Sequence, residues 1–79
     1  AQSRLLQALA DPSRRAILES LMMGESAVKD LTARFDISQP AVSQHLAALR
    51  DAGLVSGRRQ GRHVYYRMEP RGSARKAAE

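Results

Sequence analysis

The chain has 79 residues, enough for one domain, and a domain of this size buries only about 60% of the surface of its unfolded chain. It contains no cysteine, which excludes disulfides and thiolate metal ligands, and its apolar runs are too short for a membrane span or a signal-peptide core. Thirteen basic residues against eight acidic ones give a formal net charge of +5. We therefore expect a small cytoplasmic protein that does not bind membranes.

The first predicted helix covers residues 2–10 and is amphipathic. Its apolar side chains recur at helical spacing and form one stripe, made of Leu5, Leu6 and Leu9. A core this small is marginal, so pairing with a second copy of the chain would usefully bury the stripe. We therefore predict a homodimer whose dimerisation surface includes these three leucines.

A second helix is predicted for residues 12–23. Asp11 is a suitable N-cap, Pro12 fits the first helical position, and Gly24 is expected to end the helix. The apolar face recurs at helical spacing and consists of Ile17, Leu18, Leu21 and Met22. We expect this face to point into the core.

The third predicted helix, residues 27–35, is short and is followed by a tight turn. Ser26 is expected to be its N-cap, because a serine hydroxyl can accept from the first backbone N–H groups. The apolar face consists of Val28, Leu31 and Phe35. Asp36 and Ile37 then form the short connection that is typical of a helix-turn-helix.

The fourth predicted helix, residues 39–52, is the element around which the others are arranged. Ser38 is a good N-cap, Pro40 is tolerated in the first turn, and Gly53 can adopt the left-handed conformation that follows many helices. Positions i, i+4 and i+7 form one buried stripe, made of Val42, Leu46 and Leu49.

The other face of the fourth helix is small and polar, unlike the charged face of an ordinary solvated helix. It carries Gln39, Pro40, Ser43, Gln44 and Ala47. The amides of Gln39 and Gln44 and the hydroxyl of Ser43 can hydrogen bond to DNA base edges, which predicts a recognition helix. An alanine-rich surface helix is the alternative. His45, on the flank of the stripe, is either a core-edge histidine bonded to backbone or a contact to DNA phosphate.

Two strands are predicted for residues 54–60 and 62–68, around a turn at Gln60 and Gly61. In the second strand we expect three side chains to face the helices, namely Val64, Tyr66 and Met68. The alternate side chains would face outward, and these are His63, Tyr65 and Arg67.

Residues 54–68 hold four arginines and no acidic residue, so most of the net charge lies on this hairpin. The side chains expected to contact DNA are Arg58, Arg59, Arg62 and His63. Arginine binds phosphate through two parallel hydrogen bonds, and release of counterions from DNA drives such binding. A solvated hairpin whose charge only protects a sheet edge is the alternative.

The order of helix, turn, helix and basic hairpin predicts a winged helix-turn-helix over residues 1–70, mainly α with a small β-hairpin. Residues 71–79 are small and charged without periodicity, which predicts a flexible tail or a truncated C-terminal helix. No paired nucleophile, carboxylate dyad or phosphate-binding glycine loop is present, so we do not expect an enzyme. A protein-protein adaptor is the rival function, but it would carry acidic or large apolar residues in place of Ser43, Gln44 and the arginines.

Three segments resemble the ArsR-type winged-helix repressors, namely LADPSRRAILESL, DLTARFDISQPAVSQHLAALRDAGLV and GRHVYYRM. The resemblance implies a transcriptional repressor that binds palindromic operators in double-stranded DNA as a homodimer, formed by the first helix and a helix after the wing. Many members of the family sense metals through a Cys-Val-Cys triplet, where this chain has Ala27, Val28 and Lys29. The chain therefore resembles members without a metal site, and we expect no metal or other cofactor.

Overall fold

A computed structural model describes the backbone of residues 2–69 and the side chains of residues 6–69. This part of the chain forms four helices and three strands. In chain order they are α1 (Gln2–Ala10), α2 (Pro12–Met22), β1 (Ser26–Ala27), α3 (Val28–Phe35), α4 (Gln39–Asp51), β2 (Val55–Gln60) and β3 (His63–Met68). The arrangement confirms the predicted fold class. The predicted tail, residues 71–79, lies outside the described residues.

The start of α2 follows from the two residues before and within its first turn. The Asp11 carboxylate accepts hydrogen bonds from the backbone N–H groups of Ser13, at 2.8 Å, and Arg14, at 3.1 Å. Pro12 occupies the first turn, where its missing N–H is not needed. Both predictions are confirmed, and the helix ends at Met22 with Met23 as its C-cap, one residue earlier than predicted.

The core lies where α1, α2, α3 and α4 meet the sheet. Its fully buried members are Ala8, Ile17, Leu21, Leu31, Val42, Leu46, Leu49 and Val55. The apolar stripe predicted for α4 is therefore confirmed, because all three of its residues are inaccessible to solvent. Burial of each such side chain stabilises the fold by about 1.5–3 kcal/mol before the entropic cost of ordering the chain.

One prediction about an inward-facing residue is wrong: Met22, expected on the buried face of α2, is 64% exposed. Leu6, which was predicted to lie in a dimerisation surface, is 68% exposed in the single chain. In α1 the buried residue is instead Ala8, and α1 contacts both α2 and α4. The face of α1 that carries Ala8 is the one turned toward the core, so Leu6 points away from it. The Leu5 side chain lies outside the described residues.

The helix-turn-helix formed by α3 and α4 has well-defined ends. Asp36, the C-cap of α3, adopts the left-handed conformation with φ of 54°, which reverses the chain between the helices. The Ser38 hydroxyl accepts from the Ala41 N–H at 3.2 Å and so caps α4. After α4, Gly53 has φ of 81°, and the Leu54 N–H donates to the Leu49 carbonyl at 3.0 Å. This is the Schellman pattern that satisfies the last helical carbonyls.

A third strand, β1, was not predicted and corrects the expected start of α3. Ser26 is not the N-cap of α3; it pairs with Tyr66, and its neighbour Ala27 pairs with Tyr65. The cap position is held by Ala27, which offers no side-chain acceptor. The sheet is antiparallel with the order β1-β3-β2, so β3 lies in the centre. The sequence gives little sign of β1, because two residues cannot show an alternating pattern.

The hairpin of β2 and β3 forms the wing. Val55 pairs with Met68 and Gln60 with His63, around a turn in which Gly61 has φ of 63°. Tyr66 and Met68 pack against the core, as predicted. Gly57 lies opposite Tyr66, and a Cβ atom at Gly57 would come within 2.8 Å of the Tyr66 ring. The absence of a side chain there lets the ring lie flat across β2.

The helices are short. The longest described helix, α4, has 13 residues, and none of the described helices combines the length and hydropathy needed to cross a bilayer.

Candidate nucleic-acid interface

The N-terminal half of α4 presents an exposed polar face. Gln39, Ser43 and Gln44 are exposed, while the stripe on the other side of the helix is buried. At about 100° per residue, Gln39 and Ser43 lie one above the other and Gln44 lies on the adjoining side. The face is free of acidic residues until Asp51 in the last turn. It can therefore approach a negatively charged polymer closely.

A cleft separates the start of α4 from the wing, and we call it the interface cleft. It has a volume of about 200 Å³ and is lined by Val28, Lys29, Gln39, Ser43, Arg62, His63, Val64 and Tyr66. Four predicted DNA-contacting residues thus meet on one surface: Gln39 and Ser43 from α4, and Arg62 and His63 from the wing. The two fully charged side chains in the lining, Lys29 and Arg62, are both positive.

Lys29 is a residue that reasoning from the sequence missed. It occupies the second position of α3, beside the helix start, where the positive end of the helix dipole already favours an anion. In sequence it is isolated from the basic hairpin and is followed by Asp30. Only the fold brings Lys29 and Arg62 to the same cleft.

The three arginines predicted to contact DNA have different surroundings. Arg58 forms a bidentate ion pair with Glu25, in which Nε lies 3.0 Å from Oε2 and Nη2 lies 3.0 Å from Oε1. This hydrogen bond lowers the pKa of Glu25 below its ordinary value and raises the pKa of Arg58. Arg59 and Arg62 are exposed, and neither forms an ion pair with any described residue.

His63 lines the interface cleft. It is half-buried, and its ring meets the ring of Tyr65 edge to face with centroids 6.4 Å apart. Since His63 is the first residue of β3, it follows the turn that carries Arg62. Its position next to the basic turn fits the predicted contact to the DNA backbone.

His45 is not brought together with the other predicted contacts. It lies about 200° around α4 from Ser43, at about 100° per residue, and is half-buried. Its Nδ1 atom is buried without a hydrogen-bond partner among the described residues. The nearby Asp11 carboxyl has its pKa lowered by the N–H groups of Arg14 and Ser13 and further by His45. The half-buried position fits a core-edge histidine, but among the described residues Nδ1 does not form the expected bond to the backbone.

An apolar groove, the α1–α2 groove, lies on a different surface. It has a volume of about 390 Å³ and is lined by Leu9, Arg15, Leu18, Glu19 and Met22. Leu6 and Met23, also on α1 and at the end of α2, are 68% and 89% exposed. Of the predicted dimerisation residues, Leu9 thus lines an apolar groove, and Leu6 is exposed on the same helix.

No group of three or more histidine or carboxylate side chains that could hold a metal ion occurs among the described residues. At the positions where the family resemblance implies thiolate ligands, Ala27 is buried and Lys29 lines the interface cleft. Neither side chain is a metal ligand at neutral pH.

Comparison with known proteins decides the family. A family model described as "Bacterial regulatory protein, arsR family" matches residues 11–56, more than half of the chain. The chain belongs to the ArsR family. The matched residues run from the N-cap of α2 through the whole helix-turn-helix and into β2.

Curated ArsR-type relatives include transcriptional repressors. The chain is 42% identical over 71 residues to the biofilm growth-associated repressor of Agrobacterium fabrum, covering 90% of this chain and 61% of that protein. It is 46% identical over 68 residues to the arsenical resistance operon repressor of Escherichia coli, covering 85% of this chain and 58% of that protein. The chain therefore spans about three fifths of the length of these relatives.

Solved structures agree with the family. HlyU from Vibrio cholerae superimposes with a TM-score of 0.81 at 36% identity, covering 98% of this chain and 84% of that one. A possible transcriptional regulatory protein from Mycobacterium bovis, solved as a fragment, superimposes with a TM-score of 0.83 at 37% identity, covering 96% and 82% of the two chains. HlyU from Vibrio vulnificus, which superimposes with a TM-score of 0.77 at 38% identity, is described as a transcriptional regulator.

Proposed function

We propose that this ArsR-family chain is a sequence-specific transcriptional repressor that binds a palindromic operator in double-stranded DNA as a homodimer. The observation that carries the proposal is the interface cleft, where the polar start of α4 and the basic wing turn lie side by side. The repressors among the relatives support the same activity. A duplex presents base edges and phosphates side by side. The polar start of α4 suits the base edges, and the basic wing turn suits the phosphates.

The start of α4 is proposed to read base edges in the major groove. An α-helix fits this groove, and the first residues of a recognition helix reach the bases. Gln39 and Gln44 offer an amide donor and acceptor that match adenine N6 and N7, and Ser43 can serve either kind of base. All three side chains are exposed and free to do so.

The wing and α3 are proposed to hold the DNA backbone on either side of the reading helix. Arg59 and Arg62 extend from the hairpin and His63 lies beside them, while Lys29 faces the same cleft from α3. Contacts of this kind fix the position of a protein on the duplex without reading its sequence. The wing arginines can also enter a minor groove, whose negative potential is strongest where the groove is narrow.

The homodimer is proposed to form through the α1–α2 groove and the apolar side chains beside it. Leu6, Leu9 and Met22 offer apolar surface that the single chain leaves exposed or half-exposed. Burying such surface against a second copy is favourable by about 25 cal/mol per Å². Pairing through this side also leaves α4 and the wing of each protomer free. Two recognition helices about 34 Å apart would then meet successive major grooves on one side of the duplex.

Selection of bound sites from a random double-stranded DNA pool tests the function and the symmetry together. We expect enrichment of a palindrome whose half-sites lie about one helical turn apart. The same selection with a double variant, Lys29→Ala and Arg62→Ala, which removes both positive charges of the cleft, should enrich much less DNA. Recovery of no motif would contradict sequence-specific binding. Recovery of isolated half-sites would contradict the homodimer alone.

We also propose that no transition metal releases this repressor from DNA. A metal site needs three or four protein ligands, and the chain offers no cysteine and only two histidines, His45 and His63, which lie on different surfaces. Addition of Zn(II) at micromolar concentration should therefore leave operator affinity unchanged in a binding titration. Release of the operator by one equivalent of zinc per protomer would refute this.

A further inference from the structure

Arg58 lies at the end of the three-stranded part of the sheet, where β1 stops and the wing continues as two strands. On β3, Tyr65 pairs with Arg58 of β2 on one side and with Ala27 of β1 on the other. Ala27 is the last residue of β1, so within residues 2–69 the residue pairs from Arg59 to the turn have no third strand beside them. The orientation of the hairpin beyond this point therefore depends on the contacts that fix Tyr65 and its partner Arg58.

The Arg58 side chain is held there from three directions. Its Nε and Nη2 atoms donate to the two carboxylate oxygens of Glu25, each at 3.0 Å, and its Nη1 donates to the Gln60 side-chain oxygen. The guanidinium carbon lies 5.0 Å from the centroid of the Tyr65 ring, a cation–π contact. Three of its five N–H groups are thus engaged, one on each nitrogen, and a DNA phosphate could take the Nε–Nη2 edge only by displacing the carboxylate.

Glu25 is the residue immediately before β1, in the connection from α2. Because β3 lies between β1 and β2, the ion pair of Glu25 with Arg58 of β2 crosses over β3. The pair therefore links β2 of the wing to the connection between α2 and β1. Arg59 and Arg62, just beyond it, have no ion-pair partner among the described residues.

From this geometry we propose that Arg58 is a positioning residue of the wing, held by Glu25, and that Arg59 and Arg62 supply the arginine contacts to phosphate. The Glu25–Arg58 pair sets where the wing tip lies relative to α4. The inference rests on the proposed DNA binding and names which wing residues act directly and which act through others.

Neutral variants of the pair separate positioning from contact because the two roles predict opposite signs for one variant. If Glu25 positions the wing, Glu25→Gln weakens operator binding. If Glu25 only competes with DNA for Arg58, Glu25→Gln strengthens binding. Asp51→Asn is the control, since Asp51 is an exposed acid in the last turn of α4 that lines neither the interface cleft nor the α1–α2 groove. It measures the effect of removing one negative charge.

We expect Glu25→Gln and Arg58→Gln each to bind the operator about fivefold more weakly per protomer than Asp51→Asn, a modest effect because the ion pair is exposed. The double variant, with both Glu25→Gln and Arg58→Gln, should bind the operator as tightly as the weaker-binding of the two single variants, because the two residues act as a unit. In an Arg62→Gln background, Glu25→Gln should have a smaller effect, since the side chain that it positions has been removed. A loss of stability alone would leave that effect unchanged, and thermal unfolding of each variant checks that all are folded at the assay temperature.

Tighter binding by Glu25→Gln than by Asp51→Asn would overturn the inference and return Arg58 to the phosphate contacts. Equal effects of Glu25→Gln in the wild-type and Arg62→Gln backgrounds would overturn it as well. Failure of the wild-type chain to bind DNA in a salt-dependent way would instead refute the proposed function, so the two failures are distinguishable.

Discussion

Gln39 and Gln44 are both exposed amides in the first two turns of α4, but only Gln39 lines the interface cleft. Each can form a bidentate contact with adenine, and a good contact of this kind contributes about 1–3 kcal/mol of discrimination against a wrong base. Neither carries charge, so each adds little to the attraction for DNA of any sequence. Their contribution should therefore appear in the ratio of operator affinity to random-DNA affinity.

The prediction for these residues is that Gln39→Ala and Gln44→Ala lower this ratio about 5- to 150-fold while binding to random DNA changes little. Competition titrations with both DNAs measure it. Gln7→Ala is the control, since Gln7 is an exposed glutamine of α1 whose hydrogen bond with Arg14 uses only its backbone carbonyl. Variants of Gln39 and Gln44 that keep the wild-type ratio would show that other residues read the bases.

At the same scale, the roles of individual charges could not be predicted from the sequence. Residues 54–68 contain no acid, so nothing in the hairpin itself suggested an ion-pair partner for Arg58. The partner, Glu25, is supplied by a connection that only the β1–β3 pairing brings near the wing. For the same reason Lys29 was missed as a lining residue of the cleft. Side chains that meet through tertiary structure leave no local pattern.

At the scale of elements, α4 is fixed at both ends by caps that the sequence predicts. The Ser38 hydroxyl accepts from the Ala41 N–H and satisfies one of the free donors of the first turn. Loss of such a cap costs about 1 kcal/mol. Because Gln39 and Ser43 lie within the first turns, fraying of this end would also disorder the proposed reading residues.

We therefore expect Ser38→Ala to lower the free energy of unfolding by about 1 kcal/mol, whereas Ser38→Asn, which keeps an acceptor, should lie within about 0.5 kcal/mol of wild type. Urea denaturation measures both. Ser13→Ala is the control, because Ser13 is exposed and contributes only its backbone N–H to a cap. Equal stability of the Ser38→Ala and Ser13→Ala variants would mean that the cap contributes nothing.

Most elements could be predicted because their signals are local. Caps at Asp11 and Ser38, the glycine after α4 and the regular stripe of α4 each need only a few neighbouring residues, and all are confirmed. Predictions failed where the outcome depends on distant partners. Met22 sits at correct helical spacing, but spacing cannot say how far the rest of the chain covers that end of α2.

At the scale of the molecule, the proposed DNA surface combines three separate elements. The start of α3, the first turns of α4 and the tip of the wing contribute Lys29, Ser43 and Arg62 to one cleft, while the α1–α2 groove lies on another surface. This separation would allow two protomers to pair through one side and bind DNA with the other. The interface cleft is the surface proposed to contact the DNA backbone.

The dependence of operator affinity on salt shows whether the cleft contacts the DNA backbone. Removing a side chain that neutralises one phosphate flattens the slope of log affinity against log salt by about 0.9, or by about 1.8 in a homodimer, where both protomers carry the change. We predict flattening of this size for Lys29→Ala and for Arg62→Ala, and an unchanged slope for Arg34→Ala. Arg34, an exposed α3 arginine, is hydrogen bonded to Ser20 and does not line the cleft. Unchanged slopes for both cleft variants would contradict the account.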